Sequence, residues 1–217
     1  MIPAVLIRFQ AVALAGAIAL GCTGAEPPPP DALEAQPCPI GDLAAPAELE
    51  IVHLDAQNTV IASTAMATVP LIQPPQGGWI VLLGARARNI DGCRISLTTA
   101  LVDPCNGEIL KIDQRPTRLI AGSDGWGVSS VTGFSNLEVC PHITSVRDLD
   151  DVPYILRVRI EDDQGRAAQT EITLVPTCPA GIAMCNCQCA RDYVVGSQCE
   201  PAPPHDSCDR GATAGSR

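Results

Sequence analysis

The chain has a single lysine, Lys111, among its 14 cationic residues, against 24 acidic ones, for a formal charge of −10. So acidic a chain is a poor partner for nucleic acid, whose affinity comes largely from cations neutralising phosphates. It also lacks the basic patch that draws a protein to anionic lipid. Aromatic residues make up 3% of the sequence. Any core must therefore be built from aliphatic side chains. The 3 histidines, His53, His142 and His205, are widely separated. There is no His-Glu-x-x-His zinc motif, no Gly-x-Ser-x-Gly elbow and no EF-hand loop. Ser123 and Asp124 in "GSDGWGVSS" have no histidine near them in sequence. Nothing identifies a catalytic residue or a cofactor motif, and the expectation is a non-enzymatic protein without a cofactor. Beyond the first 21 residues no apolar stripe of period 3.6 occurs and no internal repeat, which excludes a helical bundle or solenoid.

The chain opens "MIPAVLIRFQAVALAGAIALGCTG". One cation, Arg8, precedes an apolar run from Phe9 to Leu20 broken only by Gln10. That length suits the apolar region of a secretory signal and is short for a bilayer span, which needs about 20 residues. The closing "ALGC" resembles the lipobox of bacterial lipoproteins, with Ala19 where leucine is usual. The resemblance implies cleavage after residue 21 and acylation of Cys22, and Thr23 in place of aspartate implies the outer membrane of a Gram-negative cell. Residues 22–47 read as a tether. Pro27 to Pro30 favour an extended polyproline II rod.

From residue 48 to 176 short runs of β-branched and aliphatic residues alternate with Gly, Pro, Asn and Asp, the pattern of many short strands. "LEIVHL", "TVIASTAMATV", "WIVLLGARAR", "RISLTTALV", "GEILKI", "TRLIAG" and "NLEV" are each expected to be one strand. In "YILRVRIEDDQGRAAQTEITLV", Tyr154, Leu156, Val158 and Ile160 share one face and Arg157, Arg159 and Glu161 the other. "DDQGR" then reverses the chain at Gly165. Seven or more such strands argue an all-β, two-sheet sandwich. The last hairpin resembles the closing strands of immunoglobulin-like domains of bacterial surface proteins, with Tyr154 placed as in a tyrosine corner. It departs from antibody domains in having Leu156 where a cysteine is expected, and no tryptophan in "RISLTTALVD".

Residues 177–208 are rich in cysteine, and residues 209–217 read as a frayed end. Eleven cysteines occur in all. If Cys22 is acylated an even number remains, which in an exported chain reads as a disulfide framework. Cys93 and Cys105 cannot pair, because the strand between them holds its ends about 30 Å apart. The immunoglobulin-like strand order implies Cys105–Cys140 and Cys38–Cys93. "CQCARDYVVGSQC" is similar to the ends of EGF-like and trypsin-inhibitor-like modules, which implies Cys189–Cys199.

Two acidic clusters, Asp148 to Asp151 and Glu161 to Asp163, read as solvated loops, with calcium ligation the alternative. Trp79 opens an apolar strand and is expected in the core. Trp126, in "DGWGV", is the candidate contact residue. The functional expectation is a lipid-anchored envelope module that binds a protein or glycan through a non-catalytic surface. Two alternatives stand beside it: a thiolate metal-binding protein using Cys185, Cys187 and Cys189, and a protease inhibitor.

Overall fold

A computed structural model describes residues 38–141, 145–199 and 203–209. Residues 1–37, with the expected signal segment, Cys22 and the first part of the expected tether, lie outside the described residues, as do His142 and the end beyond Asp209.

The protein is a two-sheet β-sandwich with a small disulfide-rich tail. The first sheet is built on β5 (Trp79–Arg88), whose odd-numbered residues Trp79, Val81, Leu83, Ala85 and Ala87 face the core. On one side β5 pairs with β2 (Glu48–Leu54), which pairs in turn with β3 (Val60–Ala62). Its other side is shared by two strands. β10 (Gly127–Ser129) takes the end near Arg86, continuing to β9 (Leu119–Ala121), and β11 (Ser135–Cys140) takes the end near Trp79. The second sheet runs β4 (Ala67–Pro70), β13 (Ala167–Thr177), β12 (Tyr154–Asp162), β7 (Ile95–Val102) and β8 (Ile109–Thr117). A short pair, β1 (Pro39–Ile40) with β6 (Ile90–Asp91), closes one end. The folded region therefore starts within the stretch that reads as tether: Ile40 is already in the core. β2–β5–β11 packed against β7–β12–β13 is the arrangement of an immunoglobulin-like sandwich.

The run "TVIASTAMATV" is two strands, not one. β3 belongs to the first sheet, and β4 crosses to the second and runs parallel to β13. Met66, with φ of 63°, makes the corner between them. Alternation alone cannot show a strand changing sheets, because both halves keep their period.

Leu97, Leu156, Val158 and Ile160 of the second sheet meet Ile51, Val81, Leu83 and Leu137 of the first in one aliphatic core. Tyr154 is fully buried and its hydroxyl donates to the Arg147 carbonyl at 3.1 Å, the tyrosine-corner contact. Burial pushes its phenol pKa up to about 12. A second, smaller cluster covers the outside of the first sheet, where Phe134 packs with Val52 and Leu54. Phe134 lies so close over Gly84 that a Cβ there would meet the ring at 2.6 Å. Only glycine allows this close approach.

Every cysteine from Cys38 to Cys208 is paired. Cys38 is bonded to Cys93. Cys105 and Cys140 are not bonded to each other: Cys105 takes Cys208 and Cys140 takes Cys189. The tail, which belongs to the same compact unit as the sandwich, supplies both partners. Cys199 takes Cys187 rather than Cys189. The reason is a short helix, α1 (Ala183–Gln188). Cys185 and Cys189 stand four apart and face the same way, into the core, which turns Cys187 outward. Cys185 closes on Cys178.

In the loop Arg147–Val152 only Asp151 is fully exposed, and the other carboxylates are engaged. Asp148 accepts the backbone N–H groups of Arg191 (2.9 Å) and His205 (2.6 Å). Asp150 is buried and accepts the Cys178 N–H at 2.6 Å and the Asn186 amide. These carboxylates fix the tail to the sandwich. Trp79 is in the core, and its indole N–H donates to Gln188 at 2.8 Å.

Candidate functional site

Period two decides what the outer face of the first sheet displays. On β2, Glu48 and Glu50 point outward, and on β5 Arg86 and Arg88 do. Antiparallel register sets Glu48 opposite Arg88 and Glu50 opposite Arg86. Arg88 reaches Glu48 at 2.7 Å, and Arg86 pairs with Glu50 and, at 2.7 Å, with Asp124. Opposite charges facing each other across strands stabilise a sheet modestly, by about 0.2–1 kcal/mol per pair.

Trp126 completes the rungs from the β9–β10 turn. Gly122 N–H bonds the Trp126 carbonyl at 2.7 Å, and Gly125 takes a φ of 78° to close the turn. Asp124 accepts the Trp126 N–H at 3.1 Å while its other oxygen takes Arg86. The guanidinium carbons of Arg86 and Arg88 lie 4.4 and 4.8 Å from the centre of the half-buried indole. Each such stack contributes about 0.5–1 kcal/mol at an exposed site. The hydrogen bond from Arg86, helped by the Trp126 N–H, holds the Asp124 carboxyl below its usual pKa. Asp124 and Glu50 in turn raise that of Arg86. The result is a braced plate of one aromatic ring, two guanidiniums and three carboxylates. It can stack on a flat or CH-rich partner and exchange hydrogen bonds with it. All three carboxylates are engaged by the guanidiniums.

One pairing that the sequence hides is His53 with Ser63. They are ten residues apart, on β2 and just past β3, and the ring Nδ1 lies 2.8 Å from the hydroxyl. His53 is buried on the core side, and burial lowers its pKa, partly offset by Asp55. Asp55 accepts the Gln57 and Thr59 N–H groups through one oxygen of its carboxylate. A second polar group, Thr99, Ser135, Asp113 and Arg115, joins the two sheets at the β8 edge. The Thr99 and Ser135 hydroxyls meet at 2.5 Å, and Ser135 donates to Asp113 at 2.7 Å. Desolvation works to raise the Asp113 pKa, but Arg115 and Ser135 together keep it below the usual value.

A shallow groove of about 600 Å³ runs along the β7–β8 edge, lined by Arg94, Ser96, Gln114 and Asp163 among others. Arg94 and Asp163 pair across it at 3.3 Å. The acidic stretch at Asp162 and Asp163 is thus also engaged: Asp162 accepts the N–H groups of Gln164 and Arg166 to form the hairpin turn.

The cysteines of the metal reading do not share one centre, because Cys187 is drawn away to Cys199. The segment relevant to the inhibitor reading is the loop braced by Cys187–Cys199, with Val194 and Val195 at its tip, 68% and 62% exposed. That tip is a closed turn, with Ser197 N–H on the Val194 carbonyl at 2.9 Å and Gly196 at a φ of 88°. It is not an extended segment. No protein-family model matches the chain, and no curated protein matches it.

Proposed function

We propose that the chain is an exported, lipid-anchored module of the cell envelope that binds a protein or glycan partner through the face around Trp126, without catalysis. The observation that carries this reading is the pairing of every cysteine from Cys38 to Cys208. Such a framework persists in oxidising, exported compartments. "ALGC" at the end of the first apolar run supports acylation at Cys22 and an outer-membrane address. The braced Trp126 plate supports recognition, since an aromatic ring held rigid before binding loses little entropy on contact.

Both halves are testable in a Gram-negative host. Cys22→Ser should abolish acyl labelling and move the protein to the soluble fraction, whereas continued membrane fractionation sinks the anchor. The soluble chain should then rebind isolated envelopes, and Trp126→Ala should weaken that binding about tenfold or more. Equal binding by the two chains rejects the contact face.

A further inference from the structure

At the opposite end of β5 from Trp126, three sulfurs lie together and a fourth is bonded to one of them. The sulfurs of Cys178, Cys185 and Cys189 lie within 4.8 Å of one another, and Cys140 is bonded to Cys189. All four residues are buried. They form two disulfides, Cys178–Cys185 and Cys140–Cys189, with Cα separations of 5.7 and 5.1 Å. They come from three places: the end of β11, the segment after β13, and α1 with its C-terminal cap.

Their positions are also held by bonds that do not involve sulfur. Trp79 holds Gln188 of α1 at 2.8 Å, Leu149 N–H holds the Cys189 carbonyl at 2.9 Å, and Asp150 holds the Cys178 N–H. A tetrahedral zinc tetrathiolate has Zn–S bonds of about 2.3 Å and hence sulfurs about 3.8 Å apart. The sulfurs of Cys178, Cys185 and Cys189 already lie within 4.8 Å of one another, and Cys140 would swing in from its place beside Cys189 by side-chain rotation.

We propose that, once these two disulfides are reduced, Cys140, Cys178, Cys185 and Cys189 form a tetrathiolate site for Zn²⁺. Each disulfide takes two electrons and two protons from a dithiol, which closes to its own disulfide. The four thiols then release four protons to solvent as the metal binds. The set differs from the Cys185, Cys187 and Cys189 grouping, since Cys187 and Cys199 lie outside it. It is also independent of the Trp126 face. Asp150 works against the site: its buried carboxylate sits beside Cys178 and repels a centre of net negative charge.

The full chain is reduced anaerobically with dithiothreitol, freed of it by gel filtration with equimolar ZnSO₄, and assayed for bound zinc. Co²⁺ replaces zinc in a parallel sample to report geometry by its visible spectrum. The expected result is about one metal per folded chain with tetrahedral cobalt bands. Cys187→Ser/Cys199→Ser should retain the metal, Cys140→Ser should weaken it at least tenfold, and Asp150→Asn should tighten it several-fold. Three outcomes overturn the proposal: no metal retained by the reduced wild-type chain, a reduced chain that stays unfolded with zinc by near-ultraviolet circular dichroism, or equal metal retention in Cys140→Ser and wild type.

Discussion

Burial disfavours the charged form of His53 and lowers its pKa in the folded chain, partly offset by Asp55. An unfolded chain binds a proton there below about pH 6.5, while the folded one resists until a lower pH. The associated stability is therefore present above that value and is lost as pH falls through the folded pKa. Urea unfolding at about pH 7 and about pH 5 should show a lower midpoint at the acid end, and His53→Gln should flatten the difference. An unchanged slope in the variant removes His53 as the cause. Asp113 acts in a separate window, below about pH 4, because its pKa is also depressed. Single residues were unevenly legible. Trp126 stood out because aromatics are scarce and it sits between glycines. Its stacking partners were hidden, since Arg86 and Arg88 lie some forty residues earlier and meet it only through strand pairing. His53 with Ser63 was hidden for the same reason at shorter range.

At the scale of elements, alternation read the long strands well. "WIVLLGARAR" is β5 from end to end, and the Tyr154 hairpin pairs residue for residue with Gly165 at its turn, φ 80°. What escaped were elements too short to carry a period: β1, β6, β10 and the six-residue α1. The last of these cost most, because the helix decides which cysteines of "CNCQC" face inward. The Asp148 loop was read as solvated because its polarity is evident in the sequence and its partners are not. Asp148→Ala should free two backbone N–H groups and cost about 1–3 kcal/mol. Hydrogen exchange should quicken in residues 189–209 and leave β12 and β13 protected. Uniform quickening across the sandwich would mean that the loop supports the whole fold instead.

At the scale of the molecule, the tail is tied to both layers. Cys208 holds Cys105, beyond the end of β7 in the second sheet, and Cys189 holds Cys140, the last residue of β11 in the first. Cys105–Cys208 spans 103 residues, so its removal should cost about 3–5 kcal/mol by releasing the unfolded chain. Cys105→Ala/Cys208→Ala should lower the thermal midpoint by several degrees and expose the tail to protease, and an unchanged midpoint would show that the bond constrains little. The other terminal bond has a mechanical consequence. Cys38 is the first described residue, and its neighbours Pro39 and Ile40 pair with only two residues of β6. Tension applied to the chain ahead of Cys38 would unzip so short a pair one rung at a time. Because Cys38 is bonded to Cys93, the load passes instead through sulfur to the head of β7, an eight-residue interior strand of the second sheet. A pull on the leading segment is then borne in shear by β7 against β8 and β12, and the far edge of that sheet, β4, feels little of it.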